Sequence, residues 1–384
     1  MRPTADVVVV GGGAIGASAA YHLAAAGVGS VLLLEREDAL GTGSTGRCAG
    51  GFRHQFSSRI NIELSLASIP MIKGFAETHG LPLDVDEDGY LFLIRSRATW
   101  EEYLGAVELQ RSMGVQVEVL TADEAGGLIP GLSLEGMLGA TFGPRDGIAD
   151  PSGLTLGYAT VARREGAEID TGVEVRAILL DGGRVVGVET TAGTVSAPIV
   201  VNAAGPWAGR LASTAGVELP LEPIPRQVVV TGPFPGAPAR RTLVIDADST
   251  FYFHKEGPGV LMGMGGRDEK PSFDTSVDER FIAEEVLPRA IRVFPPLEEA
   301  GMTSTWAGLY EMTPDRHPIV GEAPGVAGLL LANGFSGHGF QHAPIVGKLL
   351  AEMVVDGRAH TVEIASLGLE RFASGRVEPE HHVI

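Results

Sequence analysis

Cysteine is nearly absent from this chain of 384 residues: Cys48 stands alone. An internal disulfide is therefore impossible, and with no cysteine and histidine cluster at zinc spacing no metal site is expected. Positive charge is in deficit as well. Lysine plus arginine number 29 against 48 aspartates plus glutamates, a net charge of −19, and a field of that sign repels polyanions, so no nucleic acid is expected as a partner. Long apolar runs are missing. Stretches such as 28–34 and 326–332 fall far below the ~20 residues that cross a bilayer, so no membrane span is expected. The amino end lacks a basic stretch followed by a small-residue cleavage site, and the expected compartment is cytoplasmic.

Glycine is what the chain has in excess. Its 53 glycines are about 14% of the residues, twice the usual ~7%, and no collagen-like period accompanies them. That excess points to tight turns and to close backbone approaches to a ligand. Hydrophobic residues at 44% and charged residues at 20% are the ordinary mix of a folded protein, and the length suits two domains better than one.

Residues 6–10 form a β-branched run expected of a strand buried on both faces of a parallel sheet. GGGAIG follows, then a run of small and helix-favouring residues to Ala26, a stop at Gly27, and a second buried strand over 30–34 that ends at Glu35. Residues 40–59 make a loop rich in glycine and serine, and 60–78 an amphipathic segment. Between Val85 and Phe142 short alternating strands such as 90–94 mix with a polar helix over 98–113, which reads as an α+β insertion. A helix over 151–165, strands over 174–180 and 185–191 around Asp181-Gly182-Gly183, and a buried strand over 199–202 return to the first pattern. From Pro220 to Trp306 strands punctuated by proline are expected, then a buried strand over 326–332, a glycine-rich turn and a helix carrying Val346, Leu349, Leu350 and Met353 on one face.

Gly11, Gly13 and Gly16 give G-x-G-x-x-G after a strand and at the opening of a helix, where Ala14 and Ile15 begin the first turn. Gly11 permits the tight turn, Gly13 lets a pyrophosphate approach the backbone, Gly16 lets helix and strand pack closely, and the helix N-terminus adds positive potential. Glu35 would accept hydrogen bonds from ribose hydroxyls, with Arg36 beside it among the expected cofactor contacts. This unit binds a dinucleotide but does not by itself separate FAD from a nicotinamide.

In order along the chain come VVVVGGGAIGASAAYHLAAAGV, GSTGRCAGGFRHQFS, VVNAAGPWAG, GLYEMTPDRHPIVG and ANGFSGHGFQHAP. Together they resemble the FAD-dependent D-amino acid oxidase-like superfamily, and within it the β subunits of heterotetrameric sarcosine oxidase and of the L-proline dehydrogenase complex. The resemblance covers nearly the whole chain. It implies an α/β fold: a discontinuous Rossmann-type FAD-binding domain, here 1–84, 145–219 and 315–384, with an inserted α+β substrate-binding domain, 85–144 and 220–314, built on a mixed β-sheet.

The same resemblance distributes the roles. Ser44, Thr45, Arg47, Cys48, Ala49, Gly50 and Gly51 would wrap phosphate and flavin, although Ser44 and Thr45 also suit helix capping and Cys48 a small buried thiol. Val175 would hold adenine through its main chain, and Ala204 and Gly205 would let the cofactor cross a strand end, with Trp207 following them in a packing role. Gly334, Gly337 and Gly339 would bring backbone N–H groups against the flavin's pyrimidine edge, with His338, Phe340 and Gln341 among the expected cofactor contacts. His338 either donates a hydrogen bond or fills space. Arg53 is the expected ligand of the substrate carboxylate, a surface arginine being the competing reading, while His54 reads as structural. Tyr252 and Tyr310 stand where relatives carry substrate-facing side chains, or are core aromatics.

Departures from the family pattern limit this transfer. Relatives with covalent flavin use a histidine or a cysteine where this chain has Arg47 and Gly308, so FAD is expected to be noncovalent. The residues Asp150, Pro151 and Ser152 offer no histidine for a covalent FMN. Leu261, Gln341 and Tyr310 replace a lysine near the flavin, a second carboxylate ligand and an arginine of related oxidases. The expected activity is oxidation of the C–N bond of a small, secondary amino acid such as sarcosine or proline, by hydride transfer to flavin N5, giving an imine. Oxygen or an electron carrier would reoxidise the flavin, and other subunits of a hetero-oligomer are compatible with the resemblance. The alternatives are a non-catalytic flavin-containing assembly protein and a nicotinamide-dependent dehydrogenase, the second opposed by the carboxy-terminal glycine turn.

Overall fold

The computed structural model describes residues 2–266, 269–375 and 377–383. The run Val7–Val10 is buried at every position because it has neighbours on both sides in register: Val7 lies beside Val31 and beside Ile199, all three strands parallel. Six strands make this sheet in the order Ile319–Glu322, Leu329–Asn333, Ile199–Asn202, Val7–Val10, Val31–Leu34, Glu168–Asp170. Only the outermost, Ile319–Glu322, runs antiparallel to its neighbour. Helices Ala14–Ala25, Pro151–Arg164 and Gly339–Asp356 cover one face. The small residues of the first helix have a packing reason: a Cβ on Gly347 would stand 2.3 Å from the Ser18 hydroxyl, so these two helices touch backbone to backbone.

On the other face lies a three-stranded antiparallel sheet, Val175–Asp181, Arg184–Thr190 and Gly193–Ser196. Its first hairpin turns at Gly182 and Gly183, both at positive φ, as the Asp-Gly-Gly sequence anticipates.

Eight strands form the second large sheet, in the order Met302–Met312, Glu222–Thr231, Gly259–Met264, Phe251–Glu256, Leu243–Asp246, Tyr90–Ile94, Gly139–Gly143, Glu118–Leu120. The pair Leu243–Asp246 and Tyr90–Ile94 is parallel and the rest antiparallel, so the sheet is mixed. Alternation sorts its side chains. Leu91, Leu93, Val229, Val244, Phe251, Phe253 and Met262 enter one core, while Tyr90, Leu243, Tyr252, Arg226 and Val228 face the opposite way.

The region 220–306 is not strands alone. Glu279–Phe281, a π-turn Ile282–Val286 and Leu287–Val293 form one helical stretch across the back of the mixed sheet. Ile282, Val286, Ala290 and Val293 repeat at helical spacing and are buried there, a stripe that the neighbouring prolines obscured. The amphipathic segment near 60–78 is likewise two helices, Arg59–Lys73 and Phe75–His79, separated by Gly74. The last buried strand starts at Leu329 because Val326 still belongs to the preceding turn.

The segment 377–383 straps across the mouth between the two layers. The Glu380 carboxylate accepts from the N–H and hydroxyl groups of Ser57 and Ser58 and from Asn61 Nδ2 at 2.6–3.1 Å, and the His382 ring stacks on Tyr103 at 3.9 Å. Burial alone would raise its pKa, yet His382 and the Ser57 and Ser58 donors hold this carboxyl far below its usual range. Glu380→Ala should cost about 2–4 kcal/mol of stability in urea unfolding and speed hydrogen exchange of the amides at 380–382. Unchanged exchange there would show that the strap is held by something else.

Candidate active site

At Gly11 (φ +108°) a Cβ would lie 2.3 Å from the Ala203 carbonyl oxygen, and at Gly16 a Cβ would lie 1.8 Å from the oxygen of Gly11. No side chain fits either place, so the turn leaves its backbone bare at the helix start. The Glu35 carboxylate accepts the N–H groups of Gly12 at 2.6 Å and Glu37 at 2.9 Å, which fixes it at the rim with lone pairs to spare. Thr45 Oγ1 accepts from the Ala14 N–H at 3.2 Å, closing the loop onto the helix.

These groups border a cavity of about 820 Å³ between the two large sheets. Gly11, Gly13, Ala14, Ile15, Glu35, Arg36, the loop from Ser44 to Gly51 except Gly46, Val175, Ala204, Gly205, Trp207, Gly337 and the residues from His338 to Gln341 line it, and so do Arg53, Tyr252 and Tyr310. Two expected residues do not. Gly16 acts through packing alone. Gly334 is turned to Thr313 and Leu221, where a Cβ would meet Thr313 Cγ2 at 2.4 Å, so it shapes the turn instead of bordering the cavity.

Other expectations change in detail. Ser44 Oγ donates to the Leu309 carbonyl at 2.6 Å and Arg47 Nη1 to that of Ala307 at 2.8 Å. Met302–Met312 is an edge strand, and these side chains each satisfy one of its outward carbonyls while still lining the cavity. Burial pushes the Cys48 thiol up to about 11, so it stays protonated and inert. Gln341 clips the Arg53 main chain, its Oε1 accepting from Arg53 N–H at 3.0 Å and its Nε2 donating to Arg53 O at 3.1 Å. The bare Cα of Gly337 makes room for the Tyr310 ring, which a Cβ would meet at 2.2 Å.

Arg53 is only 4% exposed. Its guanidinium donates to the main-chain carbonyls of Gln55 and His382 and lies 3.8 Å from the centre of the Phe56 ring. Among the described residues no carboxylate pairs with it. His54, next to it, is structural: its Nδ1 meets Asp146 at 2.6 Å. Burial, then the Arg53 charge, pushes His338 down to about 3, and both its ring nitrogens are sealed without a partner among the described residues. It is a neutral imidazole. Burial raises the Tyr90, Tyr252 and Tyr310 hydroxyls, which stay neutral too.

Four contributors were not read from the sequence. Arg226 and Tyr90 reach the cavity by strand alternation, detectable only once the register is known. Phe273 lies between Trp207, at 5.7 Å between ring centres, and Arg210, whose guanidinium is 3.8 Å from its own ring, while Arg36 covers the far side of Trp207 at 3.6 Å. Glu311 lies beneath the carboxy-terminal turn. Its Oε1 accepts from the Phe335 N–H at 3.4 Å, while Oε2, near Gly205, is sealed from solvent without a partner among the described residues.

Residues 6–353 match the family described as FAD dependent oxidoreductase, DAO. The chain belongs to that family. It is 33% identical over 96% of its length to the mitochondrial sarcosine dehydrogenase of Mus musculus and spans 41% of that protein. L-proline dehydrogenase from P. horikoshii superposes with a TM-score of 0.91 at 31% identity, over 98% of this chain and 100% of the other. Glycine oxidase from Geobacillus kaustophilus does so at 0.86 and 28%, over 96% and 99%. The fold is that of these flavoproteins, a Rossmann-type layer with a mixed-sheet layer inserted, and FAD is the cofactor of the family. The residues present fit it: at Gly11 and Gly16 no Cβ can be accommodated, so bare backbone meets the cavity at the helix start. No helix among the described residues is long and apolar enough to cross a membrane, and no group of histidine, cysteine or acidic residues among them could hold a metal ion.

Burial pushes the Glu311 carboxyl up to about 7. A folded pKa above the unfolded one stabilises most below the unfolded value, and that stability is lost as pH rises through about 7. Glu311→Gln should therefore remove about 3 kcal/mol of the stability that the flavin-free protein loses between pH 5 and 8, read by urea unfolding. An identical pH slope in parent and variant would count against this.

Proposed function

We propose that the protein oxidises the C–N bond of a small secondary amino acid whose carboxylate sits on Arg53. The observation that carries this reading is a buried guanidinium at the cavity wall with no carboxylate partner among the described residues. A charge in such surroundings is costly until an anion meets it, and the planar fork suits a carboxylate in two-point contact. Sarcosine and proline, the substrates in two relatives' names, are both secondary amino acids.

FAD bound there would supply an acceptor for the hydride on the carbon next to nitrogen, the amine becoming an imine. The chain's own part is orientation and exclusion of water. Arg53 fixes the carboxylate end, and the neutral Tyr90, Tyr252 and Tyr310 hydroxyls offer hydrogen bonds to the amine without adding charge. His338 stays neutral beside Arg53, so it adds no charge that would compete for the anion. An amine that enters unprotonated needs no base. For the cofactor itself we assign the helix start at Gly13–Ile15 to the pyrophosphate, Glu35 to the ribose, the main chain at Val175 to adenine and the turn Gly337–Phe340 to the flavin, without a covalent link.

Anaerobic mixing with sarcosine, dimethylglycine, proline, glycine and D-amino acids should bleach the flavin with at least one secondary amino acid. A flavin that stays oxidised with all of them would remove the enzymatic reading. Arg53→Ala should raise KM at least tenfold for carboxylated amines and little for uncharged ones; an equal rise for both would take Arg53 out of the carboxylate site. Acid precipitation should leave all yellow colour in the supernatant, and colour in the pellet would contradict noncovalent binding.

A further inference from the structure

A second arginine faces the same cavity under different circumstances. Arg226 lies on the strand Glu222–Thr231, opposite Gly308 and one pleat from Val228, and its guanidinium is 5.0 Å from the centre of the Tyr310 ring. Room has been made for it. A Cβ on Gly265 would stand 2.2 Å from Arg226 Nη1, and one on Gly263 would stand 2.5 Å from the Tyr252 hydroxyl beside it.

Arg226 meets an internal anion, Glu269, through one nitrogen and one oxygen, Nη1 to Oε1. The same Oε1 also accepts the Gly266 N–H at 2.6 Å. Arg226 Nε is sealed from solvent and has no partner among the described residues. A guanidinium can grip a carboxylate at two points, and this one is held at one. Burial raises the Glu269 carboxyl above its usual range even beside the cation, so the pair is a strained host for that charge. Across the cavity stands Arg53, and the Tyr310 hydroxyl lies in the field of both guanidiniums.

We propose that Arg226 is a second anion seat and that the substrate is a secondary amine with an acidic group at each end, one on Arg53 and the distal one on Arg226 in place of Glu269. A monoacid satisfies Arg53 and leaves the Arg226–Glu269 pair closed. A diacid satisfies both cations and returns Glu269 to solvent. The substrate class rests on the amine-oxidation reading above, whereas the anion seat is tested by binding alone.

Acetate and glutarate, neither of which reduces flavin, are titrated into the holoprotein and the visible flavin spectrum is followed. Glutarate should bind at least tenfold more tightly than acetate. Arg226→Gln should weaken glutarate at least tenfold more than acetate, and Glu269→Gln, which keeps the cation, should tighten glutarate at least threefold. Equal affinities in the parent, or variants that shift both ligands by the same factor, overturn the seat. Anaerobic reduction is then compared for iminodiacetate and sarcosine, and faster bleaching by iminodiacetate supports the diacid class. If glutarate behaves as expected and neither amine bleaches the flavin, the anion seat stands and the amine reading falls. If sarcosine bleaches the flavin and glutarate binds no better than acetate, the amine reading stands and the seat falls.

Discussion

Where the first strand becomes the first helix, the backbone passes closer to itself than any side chain allows. The missing Cβ atoms of Gly11 and Gly16 let the oxygens of Ala203 and Gly11 come within 2.3 and 1.8 Å of where those atoms would stand. That closeness brings the end of strand Ile199–Asn202 against the turn and aims the helix start into open space. Glu35, Thr45 and the loop behind it are then fixed by hydrogen bonds to the amides around this turn. The glycine-lined end of the cavity is a consequence of this one backbone contact, and the mixed sheet only has to close over it.

The other end of the cavity is organised by charge. In a chain of net charge −19 Arg53 and Arg226 border the cavity beside Tyr90, Tyr252, Tyr310 and His338. Burial keeps three tyrosines and His338 uncharged, and of the two arginines only Arg226 makes a direct ion pair among the described residues, with Glu269. The strap at 377–383 adds a carbonyl, not a charge, to Arg53. An arginine held by carbonyls keeps its geometry and its full appetite for an anion.

Much of this was legible before any fold was known. The strand–glycine–helix–strand–acid series could be read directly, since each residue acts on neighbours within one βαβ unit. The polar helix near 98–113, the hairpin at Gly182-Gly183 and the strand Tyr90–Ile94 followed from local periodicity and turn chemistry in the same way. The helical stretch after Glu279 was hidden by its prolines, although its apolar spacing was present.

The linear chain was enough for whatever depends on a residue and its near neighbours: which segments are buried strands, where the backbone must lack a Cβ, and where a glycine turn opens the first helix. It could not tell that Arg226 and Glu311 face the cavity, since strand alternation names two faces without saying which one is covered. Nor could it foresee that Gln341 and the His382 carbonyl close around Arg53, partners 288 and 329 residues away. Those contacts exist only because two sheets from interleaved segments stack, and packing over such separations is set by the whole core and not by any local pattern.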